Sequence, residues 1–314
     1  ALGFALVVGP GPALSILERS AVDVAGNHSF TVIPLFLLMG ALIARAGLAH
    51  DLFEAAGRLT GRWRGGLAAA AVTASAGFSA VSGSSLATAS TMARVAWPEM
   101  RARGYDARLA AGSLAAGGTL GILIPPSIAL ILYALITEQS VGEMFLAGLL
   151  PGLLAWLLYL ATVAVMARIW LAPGEGVPPA TGLGPALRRV APAAVLFALV
   201  IGGLYGGAFT PTEAGGAGAA LALLIALWRR TPLAELRAAV VETVAITGAL
   251  FVILIGAEVF GYLLSVSRLS FALVDAIREA GWTPWQVLLV IVALYLVLGC
   301  VMESLAMILI TVQI

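Results

Sequence analysis

Apolar runs of about 20 residues return repeatedly along this chain, each long enough to cross a hydrocarbon core roughly 30 Å thick. They are Val32–Ala44 with its neutral flanks, Leu109–Ile136, Phe145–Ala167, Ala191–Ala208 and Ala238–Leu264. Lipid offers no hydrogen-bond partners, so a crossing chain must satisfy its backbone inside helices or a closed barrel. Barrel strands alternate polar and apolar residues, and these runs do not. The expected fold is an all-α polytopic membrane protein. Of 314 residues, 61% are hydrophobic and 11% charged, whereas globular domains run at roughly 45–50% apolar.

The polar residues exclude much chemistry. All 17 basic residues are Arg, and without Lys there is no P-loop for ATP. A single Cys rules out an internal disulfide and any multi-Cys metal site. The two His, His28 and His50, leave little for a zinc site or a His-based triad, and no HExxH occurs. "SGSS" at 82–85 superficially suggests a serine nucleophile, but that chemistry needs a base at the same depth, and none is available. No enzyme is expected. A channel needs a continuous polar lining, which is also missing, and no feature points to nucleic acid. Both ends read as cut within apolar runs, so the chain is expected to be a fragment.

Charge placement sets the topology. Arg residues cluster at 45–64, 94–108, 168–189 and 229–237, while "TEQSVGE" (137–143) and "GGAFTPTEA" (206–214) lack them. Cytoplasmic loops carry excess Arg, so the four patches belong inside and the two acidic loops outside. Helices at 30–46, 108–137, 145–168, 189–206, 212–228 and 239–264 satisfy this rule on one condition. Residues 65–100 lie between two basic loops and must not cross. Their two arms of about 15 residues reach only about 22 Å, too short to span. The segment is expected to be a re-entrant hairpin turning at Ser82-Gly83-Ser84-Ser85. Non-helical backbone at that depth has to be buried in protein or to line a polar cavity.

A broken helix follows. In "LAAGGTLGILIPPSIALILYAL" (114–135), Gly117, Gly118 and Gly121 loosen the helix, and Pro125-Pro126 remove two amide donors. An unwound stretch between two half-helices presents carbonyls to cations and helix N-termini to anions. Thr119 and Ser127 add hydroxyls.

A weak internal repeat links the two ends of the chain. "PLFLLMGALIARAGL" from Pro34 and "ALFVILIGAEVFGYLL" from Ala249 share Leu-Phe, a short apolar run and Gly-Ala, then lead into an amphipathic exit. The first copy precedes the hairpin. The second precedes "PWQVLLVIVALYLVLGCVMESLAMILITV", with a polar break at Gly299–Ser304. The copies start on opposite faces by the charge rule, so this is an inverted repeat, a transporter plan with a midplane site. The second hairpin should enter from outside, with Trp282 and Trp285 in an interfacial belt. The expected regions are 1–190, a first repeat half holding the hairpin (65–100) and broken helix (108–137); 191–238, a connecting helix pair; and 239–314, a second half that ends inside its hairpin.

Single acids carry less. Glu303, deep in an apolar run, reads either as close to a cation site or as a hydrogen-bonded structural carboxyl. Glu258 either pairs across the bundle or faces a cavity. Thr210, Pro211 and Glu213 read as a capping box that starts an outer helix. Asp51 and Glu54 read as part of a solvated amphipathic helix with Arg58, Cys300 as a small packing residue, and His28 and His50 as structural.

"IPLFLLMGALIARAGL", "SAVSGSSLATASTM", "GGTLGILIPPSIALILYA", "GGAFTPTEAGG" and "VMESLAMILITV" together cover nearly the whole chain. In this order they resemble the large membrane subunit of the TRAP transporters, the tripartite ATP-independent periplasmic family. The resemblance implies re-entrant hairpins and broken helices of the ion-transporter type, moving as an elevator in a bacterial inner membrane. It implies Na+-coupled import of an organic acid such as a C4-dicarboxylate or sialic acid. A periplasmic binding protein and a small membrane subunit are the implied partners. One Na+ site is implied at Ser82, Gly83 and Ser85 with Gly118, Gly121 and Pro125, and a second near Gly299, Met302 and Glu303. Substrate is implied between the tips, near Ser82, Ser84, Ser85, Thr88, Thr119 and Ser127. The sequence departs from the pattern by starting within the first helix, by Gln313 where the family has Pro, and by lacking the last helices. A binding-protein-independent Na+/anion symporter of similar design is the alternative.

Overall fold

The computed structural model describes residues 2–170 and 183–312; Gln313 lies outside the described residues. Among the described residues every regular element is a helix, and the chain forms two compact units, residues 31–245 and residues 1–30 with 246–314.

The larger unit opens with α3 (Val32–Arg45) and α4 (Leu48–Thr60), then α5 (Gly66–Ser82) and α6 (Ser85–Ala102). Next come α7 (Ala107–Thr119), a 3-10 turn (Leu120–Ile122) and α8 (Ile128–Ile136), and then α9 (Val141–Trp170), α10 (Leu183–Tyr205) and α11 (Pro211–Trp228). The smaller unit holds α1 (Leu2–Val8), α2 (Pro10–Gly26), α13 (Leu269–Glu279), α14 (Pro284–Gly299) and α15 (Ser304–Thr311). Helix α12 (Leu233–Ser267) contributes to both. Among the described residues, five helical segments are long and apolar enough to cross a membrane: His28–Arg45, Val141–Trp170, Arg188–Tyr205, Pro211–Trp228 and Leu233–Ser267. Each corresponds to a run expected from the sequence; α9 and α12 start several residues earlier, and α12 absorbs Arg237.

Residues 65–100 do form a hairpin. Helix α5 has 17 residues, about 25 Å at helical rise. It ends at Gly83, and α6 returns to where α5 began: the Leu67 amide donates to the Tyr105 hydroxyl, 3.1 Å away, with Tyr105 buried. Gly65, at the root, lies against Ala167 near the basic end of α9. Cysteines placed at 62 and 103 are therefore expected to react with an impermeant maleimide from one and the same face. Labels arriving from opposite faces would refute the re-entrant hairpin.

Ion pairs tie residues of three of the basic patches (45–64, 168–189 and 229–237) into this unit. Arg45 meets Glu235 at 2.6 Å and Glu242 at 2.8 Å, Arg189 meets Glu54 at 2.7 Å, and Arg229 pairs with Asp51. The two acidic loops meet elsewhere, where the Tyr205 hydroxyl donates to the Gly142 carbonyl at 3.0 Å. Asp51 and Glu54 thus differ from the solvated face expected of them. Asp51 is buried, and both acids tie α4 to distant helices. Burial pushes the Glu54 carboxyl up, but the hydrogen bond from Arg58 and the charge of Arg189 outweigh it and hold the group below its usual range. A carboxyl lowered on folding contributes stability that is present above its unfolded pKa of about 4.3 and lost as pH falls through the lower folded value. Thermal unfolding below pH 4 should therefore show a loss that the Glu54→Gln variant lacks; identical pH profiles would place the dependence elsewhere.

The two segments that the sequence repeat pairs carry similar joints. In the first copy the short amphipathic helix α4 lies between Gly47 and Gly65, both at φ 80. In the second, α13 lies between Arg268 at φ 54 and Gly281 at φ 66. A left-handed residue, an amphipathic helix, a second left-handed residue and a short apolar helix follow in both copies.

Candidate functional site

The hairpin tip is built by three local rules. Gly83 takes the left-handed conformation at φ 64, which ends α5, and its amide donates to the Ser79 carbonyl at 3.0 Å. Such a C-terminal stop favours glycine. Ser84 is extended and caps α6, accepting from the Ala87 amide at 3.3 Å. Across the tip the Ser82 and Thr88 hydroxyls pair at 2.9 Å, both buried.

The tip docks on the break. Between the 3-10 turn and α8, Leu123–Ser127 is non-helical, Pro125-Pro126 is cis, and Ser127 caps α8. The Ser127 hydroxyl donates to the Ile122 carbonyl at 2.8 Å and accepts from Leu130. One backbone bond joins the two elements: the Ile128 amide donates to the Gly83 carbonyl at 3.1 Å.

Glycines set how closely these parts approach. A Cβ on Gly83 would stand 2.7 Å from the Pro126 oxygen, one on Gly121 would stand 2.5 Å from the Ser84 oxygen, and one on Gly118 would stand 2.6 Å from Ala89 Cβ. Gly40 on α3 gives the tip room in the same way, with the Ser82 oxygen 2.9 Å from its Cβ position. Gly148 and Gly152 let α9 lie on the Leu123–Ile124 backbone. Gly117 and Gly118 do not loosen α7, which stays helical through Thr119; the unwound stretch is narrower than expected. Gly117 instead packs on Ser75, whose buried hydroxyl, like that of Ser79, has no partner among the described residues. The sequence reading missed Gly40, Gly148 and Gly152. The spacing of the latter two, a GxxxG in an apolar helix, was the available signal.

The cradle carries no formal charge. Its resources are oxygens and helix ends. Among the described residues, no backbone donor reaches the carbonyls of Ala80, Val81 and Ser82, or those of Leu123, Ile124, Pro125 and Pro126. The half-buried Ser85 hydroxyl likewise has no partner among them. The N-termini of α6 and α8 lie on the same cradle as the C-terminal end of α5. Carbonyls left in this way suit a hard cation, and helix N-termini suit an anion. No three His, Cys, Asp or Glu side chains form a metal-binding group among the described residues.

Ser82, Gly83, Ser84, Ser85, Thr88, Gly118, Gly121, Pro125 and Ser127 are thus brought together. Thr119 points elsewhere, pairing with Tyr159 on α9 at 2.9 Å. In the smaller unit, α14 ends at Gly299 and α15 starts at Ser304, with Met302 between them. Glu303 caps α15, its carboxylate accepting from the Leu305 and Ala306 amides at 2.9 and 3.3 Å. Glu258 keeps one buried oxygen without a partner among the described residues. Cys300, expected to pack, is exposed. Trp282 and Trp285 are exposed at the start of α14, and the capping box at Thr210 and Glu213 is formed in full.

A hairpin tip seated on an interrupted helix in a helical membrane protein is an arrangement that secondary transporters use. The chain belongs to the family described as tripartite ATP-independent periplasmic transporter, DctM component, which matches residues 1–314. It is 37% identical over 303 residues to the C4-dicarboxylate TRAP transporter large permease protein DctM of Pseudomonas aeruginosa, covering 95% of this chain and 69% of that protein. The protein of the same name from Vibrio cholerae is 34% identical, covering 89% of this chain and 66% of that one. The sialic acid TRAP transporter permease protein SiaT of Haemophilus influenzae is 32% identical, covering 88% of this chain and 45% of that protein. The chain spans about two thirds of the length of the two large-permease relatives. It is a multi-pass protein of the bacterial inner membrane.

Proposed function

We propose that this chain is the greater part of a large permease subunit that imports an organic acid together with Na+. The acid is a C4-dicarboxylate, a sialic acid or a similar carboxylate. A periplasmic binding protein delivers it, and a small membrane subunit completes the carrier. The observation that carries this reading is the uncharged cradle formed where the tip meets the break. An anionic substrate held without Arg needs its charge balanced by bound cations, by hydroxyls and by helix N-termini. Moving one elementary charge against 100 mV costs roughly 2.3 kcal/mol, so a dianion needs at least two Na+ to cancel the opposition.

In this reading one Na+ sits among the open carbonyls of Ser82 and Pro125, where Gly83, Gly118 and Gly121 allow the close approach, with the Ser85 hydroxyl as a further ligand. A second lies near Gly299, Met302 and Glu303. Ser82, Ser84, Thr88 and Ser127 hold the shape of the tip and cap, and the substrate carboxylate meets the N-termini of α6 and α8. The hairpins travel with their cargo as an elevator.

The test is uptake of labelled acids into proteoliposomes holding the full-length subunit and its small partner, with Na+ and the binding protein each present or absent. Uptake that requires both is expected. Uptake that requires Na+ alone would favour a stand-alone symporter. In the same assay Ser85→Ala should raise the half-saturating Na+ concentration about tenfold, equivalent to about 1.4 kcal/mol; an unchanged Na+ curve would remove Ser85 from the ligand set.

A further inference from the structure

The basic end of the larger unit holds a cavity that the transport reading does not use. It measures about 460 Å³ and is lined by Asp51, Arg188, Arg189, Trp228 and Arg229. Three Arg and one Asp thus line it, and with Glu54 on Arg189 two of the three Arg are paired. The Asp51 carboxylate is already engaged, because it pairs with Arg229, which also donates to the Ala46 carbonyl at 3.3 Å and the Arg189 carbonyl at 3.0 Å. Arg189 is held by Glu54 at 2.7 Å. Arg188 is exposed and has no ionic partner among the described residues.

The surroundings identify the occupant. The cavity lies where α11 ends, and by the charge rule this end is cytoplasmic. On the last turn of α11, Leu224 is 61% exposed, Leu227 53% and Trp228 75%. A cationic pocket thus sits directly beside an apolar helix face carrying an interfacial aromatic. A ligand with a phosphate at one end and alkyl chains at the other satisfies both halves. Soluble phosphate satisfies only the first.

We propose that this pocket binds the headgroup of an anionic diacyl phospholipid of the cytoplasmic leaflet. The phosphodiester sits on Arg188, within the field of Arg189 and Arg229, and the acyl chains run along α11 past Leu224 and Leu227. Basic pockets between membrane helices on this side take such headgroups, with each Arg near the surface worth about 1 kcal/mol. The inference does not depend on the transport reading.

The experiment uses the full-length protein in mixed micelles, with lipid retention followed by native mass spectrometry. Phosphatidylglycerol should be retained and phosphatidylcholine should not. Arg188→Gln should weaken phosphatidylglycerol retention about fivefold, the equivalent of about 1 kcal/mol, and Arg188→Lys should restore most of it. Arg62→Gln, a basic residue at the same end but outside the cavity, should leave retention unchanged. Equal loss from Arg62→Gln would mean bulk surface charge and would overturn the proposal, as would equal retention of phosphatidylcholine or indifference to Arg188→Gln. Displacement of the lipid by millimolar inorganic phosphate, with the same dependence on Arg188, would make this a soluble-anion site and overturn the lipid assignment.

Discussion

Replacing Gly83 by leucine is expected to reduce uptake by the assembled transporter to background while leaving membrane insertion intact. The residue sits at φ 64, where a side chain costs roughly 1–2 kcal/mol in any surroundings. Here the added carbon also meets the Pro126 oxygen at 2.7 Å. That neighbour is backbone and cannot rotate away. The tip would have to leave the break, and the bond from the Ile128 amide to the Gly83 carbonyl would go with it. Insertion depends on the apolar runs, which the substitution does not touch. Uptake in proteoliposomes and surface labelling of the same preparation read the two outcomes separately. Normal uptake by Gly83→Leu would take the tip out of the mechanism.

Gly121→Ala is expected to raise the half-saturating Na+ concentration at least about tenfold, or roughly 1.4 kcal/mol. Its methyl would lie 2.5 Å from the Ser84 oxygen, 2.6 Å from the Ser84 carbonyl carbon and 2.8 Å from the Ser85 nitrogen. All three are backbone atoms of the tip, so no side-chain rotation relieves the contact. The matched control is Gly112→Ala in α7, where nothing lies within 4 Å of the added carbon. It should leave the Na+ curve unchanged. Equal effects at both positions would show that helix flexibility, and not close approach, is what Gly121 provides.

The hairpin was legible because charge parity is a global constraint. Two Arg-rich loops on one side leave 65–100 no route across, whatever its local preferences. The break was legible because Pro125-Pro126 has a local backbone consequence. Gly117 and Gly118 were misread because a glycine that frees a helix and one that admits a neighbour look alike in sequence. Only the positions of Ser75 and Ala89 on the adjoining arms separate the two cases. Asp51 and Glu54 looked solvated because their partners are distant in the chain, Arg229 being 178 residues away and Arg189 135. Periodicity reports a polar face and is silent on what covers it. The sequence around Glu303 is compatible with two roles; its carboxylate caps α15, a role set by backbone direction three residues on. Gly40 lies within the repeated segment, but nothing in one sequence says that a hairpin tip passes 2.9 Å from its missing side chain.

The seven carbonyls at the tip and the break that no backbone donor reaches among the described residues have a consequence for folding as well as for the proposed ligand capture. A polar group unmet at membrane depth carries a penalty of several kcal/mol, so this part of the native state gains most from any cation that settles there. On the reading proposed above, in which Na+ binds there, loading and folding are one linked equilibrium. A ligand at a hundred times its dissociation constant adds about 2.7 kcal/mol to the stability of the state that binds it. On the proposed Na+ reading, the ionic composition on either side of the membrane would set how tightly the tip is held on the break, and the resistance of the folded chain to unfolding would gauge how full the cradle is.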